Sequence, residues 1–239
     1  MKKQMKLNVL FILLIVPMFG TAHASFVGSA AQLDLELVTF TPLSGDATLE
    51  LKNESNQVFV NSDGENAEAS GSSDAFATSR SLGGIADAGS SPGELFASTE
   101  VDAEGNTEAF AEHSVDYMAQ GTGVVKVTVD YNFLFVSSDA SNQDSELFAS
   151  ASLSDNEANV FDEASLEVGA GDDLSLDLPG ELEILLALDD GDFGTLVFNA
   201  SSLADLGVSG INEVPLPPAL VLFASALIGL TAVKRRKGS

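Results

Sequence analysis

Three aspartates around a glycine form the part of the chain best suited to bind a metal ion. Asp189, Asp190 and Asp192 flank Gly191, so three carboxylates lie within one short turn. Calcium takes about six to eight oxygen ligands, and closely spaced carboxylates around a glycine supply such oxygens. The segment does not match the EF-hand loop. Two interpretations stay open here: a calcium site, or a turn whose carboxylates face water.

The other residue types give little support for catalysis. The chain has no cysteine and two histidines, of which His23 lies in an amino-terminal targeting signal. His113 would therefore have to serve any Ser-His-Asp arrangement, and one histidine without cysteine is a poor set of zinc ligands. His113 is predicted to be a solvated residue of a strand or loop.

The sequence does not specifically indicate a glycosidase either. The 36 acidic residues create carboxylate pairs at every spacing, and no tryptophan is present to line a sugar cleft. The sequence therefore predicts a protein that is not an enzyme and has no cofactor, apart from the calcium considered above.

The amino terminus carries the pattern of a secretory signal. Three lysines precede an apolar run, 7–20, and an Ala-x-Ala cleavage site follows at Ala22 and Ala24. Residues 1–24 are therefore predicted to be a signal peptide that is removed on export, so that Ser25 begins the mature chain.

The carboxyl terminus, 214–239, has three parts. A proline-rich motif is followed by an apolar run, 219–233, and then by four cations, Lys234, Arg235, Arg236 and Lys237. As a helix the run would rise roughly 22 Å, which is less than the ~30 Å hydrocarbon core. The cations favour the cytoplasmic side. The pattern predicts a single transmembrane helix that stops in the inner membrane, either as part of a sorting signal or as a plain carboxyl-terminal anchor.

This tail resembles the PEP-CTERM type of bacterial sorting domain in its VPLPA variant. Val214, Pro215, Leu216 and Pro217 match that motif, and Pro218 separates it from the alanine that should come next. Leu216 stands where the commoner form has Glu. The resemblance implies that an exosortase, a membrane cysteine transpeptidase, removes the tail. It also implies export to the cell surface or the extracellular matrix.

The region between the two signals is strongly acidic. It contains Lys52, Arg80 and Lys126 as its three basic residues against all 36 acidic ones, which gives a formal charge of −33. Such a surface repels nucleic acid and anionic lipid and attracts cations, so no nucleic-acid partner is expected. Without cysteine an exported domain has no disulfides, and its stability must come from burial.

Alternating apolar residues predict strands throughout 25–213. The strongest pattern is 123–136, where β-branched and aromatic residues alternate with other types. Shorter examples lie at 33–37, 49–51, 174–178, 182–188 and 196–198, and Gly- and Asp-rich turns separate them, among them Pro179-Gly180. The pattern predicts an all-β domain, an antiparallel β-sandwich of jelly-roll-like type.

Three segments leave alternatives open. Residues 66–101 are dominated by Ala, Ser and Gly, and fit either small-residue strands or a loop. Residues 107–113 fit a helix as well as a strand. Glu94-Leu95-Phe96-Ala97-Ser98 recurs as Glu146-Leu147-Phe148-Ala149-Ser150, through a duplicated hairpin or through chance in a biased composition.

These features predict a secreted, non-enzymatic protein of the cell surface or the extracellular matrix, and the resemblance alone implies a role in biofilm or exopolysaccharide architecture. The expected partners are an exosortase-type enzyme, the inner membrane during transit, and exopolysaccharide. The alternatives are a calcium-dependent carbohydrate-binding module and a hydrolase on the same scaffold.

Overall fold

A computed structural model describes residues 27–102, 105–137, 145–170 and 174–207. The predicted signal peptide with Ala22 and Ala24 lies outside these residues, and so does the predicted sorting domain, 214–239. Over the described part of the chain, no helix is long and apolar enough to cross a membrane.

The described residues form twelve strands. In chain order these are β1 (Val27–Gly45), β2 (Thr48–Ser62), β3 (Glu65–Gly71), β4 (Ala75–Arg80), β5 (Gly84–Ser91), β6 (Glu94–Val101), β7 (Gly105–Gln120), β8 (Gly123–Ser137), β9 (Ser145–Asp155), β10 (Val160–Ala170), β11 (Leu174–Leu188) and β12 (Phe193–Leu206).

The strands form two antiparallel sheets of six. Sheet A has the order β11-β8-β1-β6-β5-β4, and sheet B has the order β10-β9-β12-β7-β2-β3. The sheets contact each other through β1 against β12, β6 against β7 and β5 against β7. This arrangement confirms the all-β prediction and is consistent with a β-sandwich.

The core consists of alternate residues from the facing sides of both sheets. Phe135 and Leu33 from sheet A and Phe198 and Leu147 from sheet B are among its fully buried side chains. Side chains of a strand alternate between its two faces, so each strand gives the core every second residue. Burying one such side chain contributes roughly 1.5–3 kcal/mol.

The small-residue segment 66–101 belongs to the sheets. It forms most of β3 and all of β4, β5 and β6. Ala75, Ala77, Ala86, Ala88 and Ala97 point inward and are buried. The segment lacked a clear strand signal because most of its inward residues are Ala, Gly or Ser rather than β-branched or aromatic residues.

The helical alternative for 107–113 is wrong, since this segment lies within β7. Thr107, Ala109, Ala111 and His113 are buried, and the intervening residues are not. Burial at every second residue is possible only in a strand, because a helix would place these side chains around its circumference.

The strand predicted over 123–136 is confirmed as β8, but the turn predicted at Pro179-Gly180 is wrong. β11 runs without interruption through both residues, opposite Asn132 and Tyr131 of β8. β11 is an edge strand, where proline is tolerated because no neighbour needs its missing N–H. The ring of Tyr131 covers Gly180, where a Cβ would lie 2.3 Å from the tyrosine Cζ.

The repeated five-residue segment does not mark a duplicated hairpin. Its first copy begins β6, which leads to β7 in the other sheet, whereas its second copy lies in β9, which pairs with the next strand, β10. Leu95 and Ala97 in one copy and Leu147 and Ala149 in the other are buried. Both copies therefore place a Leu and an Ala on the core side of their strand.

Candidate functional site

The three aspartates predicted to bind calcium lie in the turn between β11 and β12. Gly191 adopts a φ of 87° there, which favours glycine. Asp192 accepts a hydrogen bond at Oδ2 from the amide of Asp189, at 2.7 Å, and its own amide donates to the carbonyl of Asp189, at 3.0 Å. These two bonds close the turn.

The carboxylate of Asp190 points to a neighbouring turn. Its Oδ1 accepts a hydrogen bond from the amide of Gly121, at 2.8 Å. Asp46, in the turn between β1 and β2, also accepts a hydrogen bond at Oδ1, from the amide of Thr122 at 3.2 Å. The turn aspartates thus tie three connections together at one end of the sandwich.

In the described ranges, no group of three or more acidic or histidine side chains converges as a metal site would require. Asp190 and Asp192 each use one carboxylate oxygen on a backbone amide. Calcium binding by Asp189, Asp190 and Asp192 stays a prediction.

His113 lies inside the sandwich, so the prediction of a solvated histidine is wrong. It is 6% exposed, and its Nδ1 lies 2.8 Å from Oδ1 of Asn56 on β2. The hydroxyl of Ser90 on β5 donates to the same Asn56 oxygen. Burial lowers the pKa of His113, and the carboxylate of Glu54 partly opposes this effect. His113 is thus a neutral residue of the core, held by an amide rather than by a carboxylate.

A second buried polar group lies at the end of β9. Asp155 is 2% exposed, and its Oδ1 accepts a hydrogen bond from the amide of Ala158, at 2.5 Å. Its Oδ2 and the hydroxyl of Tyr117 both lie against Gly194, which has no room for a Cβ. Burial, with Asp155 as an acidic neighbour, raises the pKa of Tyr117. The phenol therefore stays protonated and is enclosed by protein.

Four carboxylates form a row across the outer face of sheet A. Asp34 on β1 lies directly opposite Glu94 on β6 and Asp130 on β8, and Asp130 lies opposite Glu181 on β11. Directly opposite residues share one face of a sheet, and neighbouring strands are about 4.8 Å apart. Like charges in this arrangement destabilise a sheet. We call these four residues the acidic row.

The acidic row affects the pKa of Glu94, and its members accept hydrogen bonds from neighbouring amides. Partial burial and the adjacent Asp34 carboxylate raise the pKa of Glu94. The side-chain amide of Gln32 donates to Oε1 of Glu94, at 2.9 Å, and the amide of Glu36 donates to Oδ1 of Asp34, at 3.1 Å. These donors bring hydrogen bonds to the row but no positive charge.

Cations compensate little of the negative surface. Among the described residues the one ion pair joins Lys126 Nζ to Glu183 Oε2, at 3.1 Å. The acidic row lies beside this pair on β8 and β11 but contains no basic residue. The surface is therefore suited to attract cations from solution.

An open groove of about 450 Å³ lies at the edge of the sandwich, between β10 and β11. Tyr131 and Phe133 contribute its aromatic side, with ring centroids 4.7 Å apart, and Leu166 and Leu178 contribute aliphatic side chains. Glu163 adds a carboxylate to the lining.

Sequence reasoning missed the acidic row and the groove. Each unites residues that are far apart in the chain, and only strand register brings them together. Comparisons with protein families, with curated proteins and with solved structures find no match to this chain. Its function is therefore inferred from its own residues and their arrangement.

Proposed function

We propose that the protein is a secreted, non-enzymatic component of the cell surface or extracellular matrix, and that an exosortase processes its carboxyl-terminal tail. The observation that carries this proposal is the three-part tail, in which Val214-Pro215-Leu216-Pro217 precedes an apolar run and a basic end, 234–237. The proposed organisation is a signal peptide, 1–24, an acidic domain, 25–213, and a sorting domain, 214–239. The jelly-roll-like connectivity of the domain stays a prediction.

The position of His113 supports a non-enzymatic role. It is the one histidine of the sequence outside the signal peptide, and it lies between the sheets with its Nδ1 turned to Asn56. A general base must reach the proton that it abstracts, either directly or through one water molecule. A histidine enclosed in the core does not meet this condition.

The acidic surface supports a location outside the cell. Strong negative charge keeps an exported protein soluble, and divalent ions and salt screen its self-repulsion. The same charge disfavours nucleic acid as a partner. An acidic, disulfide-free sandwich is suited to a hydrated matrix of polysaccharide and cations.

The sorting proposal is tested by tracking the protein in producing cells with and without their exosortase. We expect the protein on the surface or in the medium of intact cells, and in the membrane fraction of cells that lack the enzyme. Substituting Pro215→Ala with Pro217→Ala should have the same effect as losing the enzyme. Pro92→Ala, in the exposed turn between β5 and β6, is the control and should be processed normally. Unchanged release in the enzyme-deficient cells would contradict the proposal.

A calcium-dependent carbohydrate-binding module is the second candidate function. The negative charge of the surface motivates it, because calcium prefers oxygen ligands that carry negative charge. It differs from the first candidate in requiring a bound ion for function, and a chelator therefore separates the two.

A further inference from the structure

The outer face of sheet B carries a stripe of large apolar side chains. Phe148 on β9 lies directly opposite Leu203 on β12, and Phe110 on β7 lies directly opposite Phe59 on β2. Leu203 and Phe110 are diagonal neighbours, since Ser201 is the residue opposite Phe110. All four side chains are half-buried and point away from the core. We call them the phenyl stripe.

The phenyl stripe crosses four strands as two directly opposite pairs, with a diagonal step between Leu203 and Phe110. With about 4.8 Å between neighbouring strands, it extends roughly 14 Å across the sheet. Inward residues beside it, such as Val58, Ala111 and Ala149, are fully buried, so the four outward side chains are not needed to close the core. Apolar side chains that lie together on an outer face form a surface suited to a partner.

Hydroxyl and amide groups line one side of the phenyl stripe. Ser150 and Ser201 lie opposite each other, with their Oγ atoms 2.7 Å apart. In the next row the side-chain amide of Asn199 donates to Oγ of Ser152, at 3.2 Å. A serine hydroxyl has one donor and two acceptor positions, so these pairs retain capacity for further hydrogen bonds.

A sugar ring offers the complementary chemistry, with apolar C–H faces and hydroxyl groups at its edge. The phenyl stripe supplies aromatic surface, and the serine hydroxyls supply hydrogen bonds beside it. Because the stripe lies on an open sheet face and crosses several strands, it fits a chain of sugars better than one small molecule. The groove between β10 and β11 has the opposite character, since it is a short recess at the sandwich edge.

Charge decides which sugars fit. Glu108 on β7 lies opposite Leu203, and Glu68 on β3 lies opposite Phe59, so carboxylates adjoin the stripe. An anionic polysaccharide would be repelled, whereas one without negative charge would not. A stable protein interface covers about 800 Å² on each partner and would bury these carboxylates as well, while a single polysaccharide chain covers the stripe alone.

We propose that the phenyl stripe is a binding face for a polysaccharide that carries no negative charge. The inference rests on the proposed matrix function, because it names the matrix component that the sandwich contacts directly. Since the stripe itself contains no carboxylate, binding needs no calcium.

The test is affinity electrophoresis of the protein purified from its producing cells. Native gels contain barley β-glucan, glucomannan or alginate, each with and without a chelator. We expect retardation in at least one of the two uncharged gels, no retardation in alginate and no effect of the chelator. Substituting Phe59→Ser with Phe110→Ser should weaken the binding at least about tenfold.

A matched control lies on the opposite face of the sandwich. Phe76 and Phe96 are an outward pair on sheet A, with ring centroids 6.4 Å apart. Phe76→Ser with Phe96→Ser removes the same chemistry there and should leave the retardation unchanged. If the Phe59 and Phe110 double variant has no melting transition, Ser201→Glu replaces it. That variant removes the Ser201 hydroxyl and puts a larger side chain beside Phe110, so it should weaken binding at least about tenfold while the phenyl groups remain.

The results separate this inference from the sorting proposal. Equal migration in all gels, equal loss in the two double variants, or binding that the chelator abolishes would overturn the phenyl stripe as the binding face. None of these results changes whether the tail is processed. Conversely, an unprocessed protein in the inner membrane would end the sorting proposal even if the purified protein bound β-glucan.

Discussion

The two outer faces of the sandwich differ in chemistry, although their inner faces are alike. Sheet A presents the acidic row to solvent, and sheet B presents the phenyl stripe beside serine hydroxyls. Both inner faces are built mainly of Leu, Val, Ala and Phe. Packing constrains each inward residue, while each outward residue is free to serve solubility or binding.

The outer faces also differ in their effect on stability. In the acidic row, two charges about 5 Å apart repel each other by roughly 0.8 kcal/mol in water. In the phenyl stripe, an aromatic cross-strand pair contributes about 0.2–1 kcal/mol of stabilisation. The buried inward residues must offset the repulsion within the acidic row.

The largest expected effect comes from the core that both faces share. Phe198→Ala should lower the free energy of unfolding by about 3–5 kcal/mol, because Phe198 is 2% exposed and its removal leaves a cavity. Urea denaturation measures the change. Phe161→Ala is the control, since that ring is 74% exposed, and it should change stability by less than about 0.5 kcal/mol. Similar losses in both variants would contradict the sandwich core.

The calcium prediction is tested by melting the protein with calcium and with chelator. If the Asp189 turn binds the ion, calcium at about 100 times its dissociation constant should stabilise the fold by about 2.7 kcal/mol. Asp190→Asn with Asp192→Asn keeps the acceptor oxygens of the turn but removes two charges, and should abolish the shift. Glu163→Gln with Glu167→Gln removes two charges from β10 and should preserve it. No shift at millimolar calcium would remove the calcium hypothesis.

A smaller effect is expected from relieving the acidic row. Asp34→Asn should stabilise the protein by about 0.5–1 kcal/mol at low salt, because Asp34 faces both Glu94 and Asp130. The asparagine oxygen still accepts from the amide of Glu36. The pKa of Glu94 should fall in an NMR titration, since the Asp34 charge helps to raise it.

Salt provides the control for this variant. The gain should shrink at high ionic strength, where exposed charges are screened. Glu167→Gln, which lies opposite Phe148 rather than an acid, should give a smaller gain. A destabilised Asp34→Asn protein would show that the row is not repulsive, and would remove the contrast between the faces.

The smallest expected change is in the pH dependence of stability. The folded-state pKa of His113 lies below its unfolded value of 6.5, so the unfolded state binds the proton first. The contribution of uncharged His113 to the free energy of unfolding is complete above pH 6.5, and it is lost as the pH falls through the folded-state pKa. Urea denaturation of His113→Gln should show a flatter slope below pH 6.5 than the unsubstituted protein.

Glu94 and Glu100 act in the opposite direction. Burial first, and then acidic neighbours, raise both of their pKa values above 4.5. Their contribution is complete below pH 4.5 and is lost as the pH rises through the folded pKa. Between about pH 4.5 and 6.5 the histidine and the two glutamates therefore change the free energy of unfolding in opposite directions. A slope that His113→Gln leaves unchanged there would show that the histidine titrates as in the unfolded chain.

Strands with large inward residues were predictable from the sequence. β8 alternates valines and aromatic residues, and 182–188 of β11 does the same with Leu and Ile. In β4, β5 and β6 the inward residues are mostly Ala, Gly and Ser, which give little strand signal, so these strands stayed ambiguous. The continuity of β11 through Pro179 depended on its edge position and on Tyr131, and both follow from tertiary structure.

The acidic row and the phenyl stripe could not be predicted from the sequence, because each depends on the register between strands. The acidic row needs positions 34, 94, 130 and 181 to align across four strands, and the phenyl stripe needs the same of four others. A slip of one residue would turn any of these side chains inward. His113 was misjudged for the same reason, since Asn56 and Ser90 reach it from other strands.

Intact mass spectrometry of the protein from its producing cells tests the central claim most directly. The proposed function predicts a mature chain that begins at Ser25 and lacks the apolar run and basic end, 219–237. Recovery of a chain that keeps 219–237 and stays in the inner membrane would contradict it.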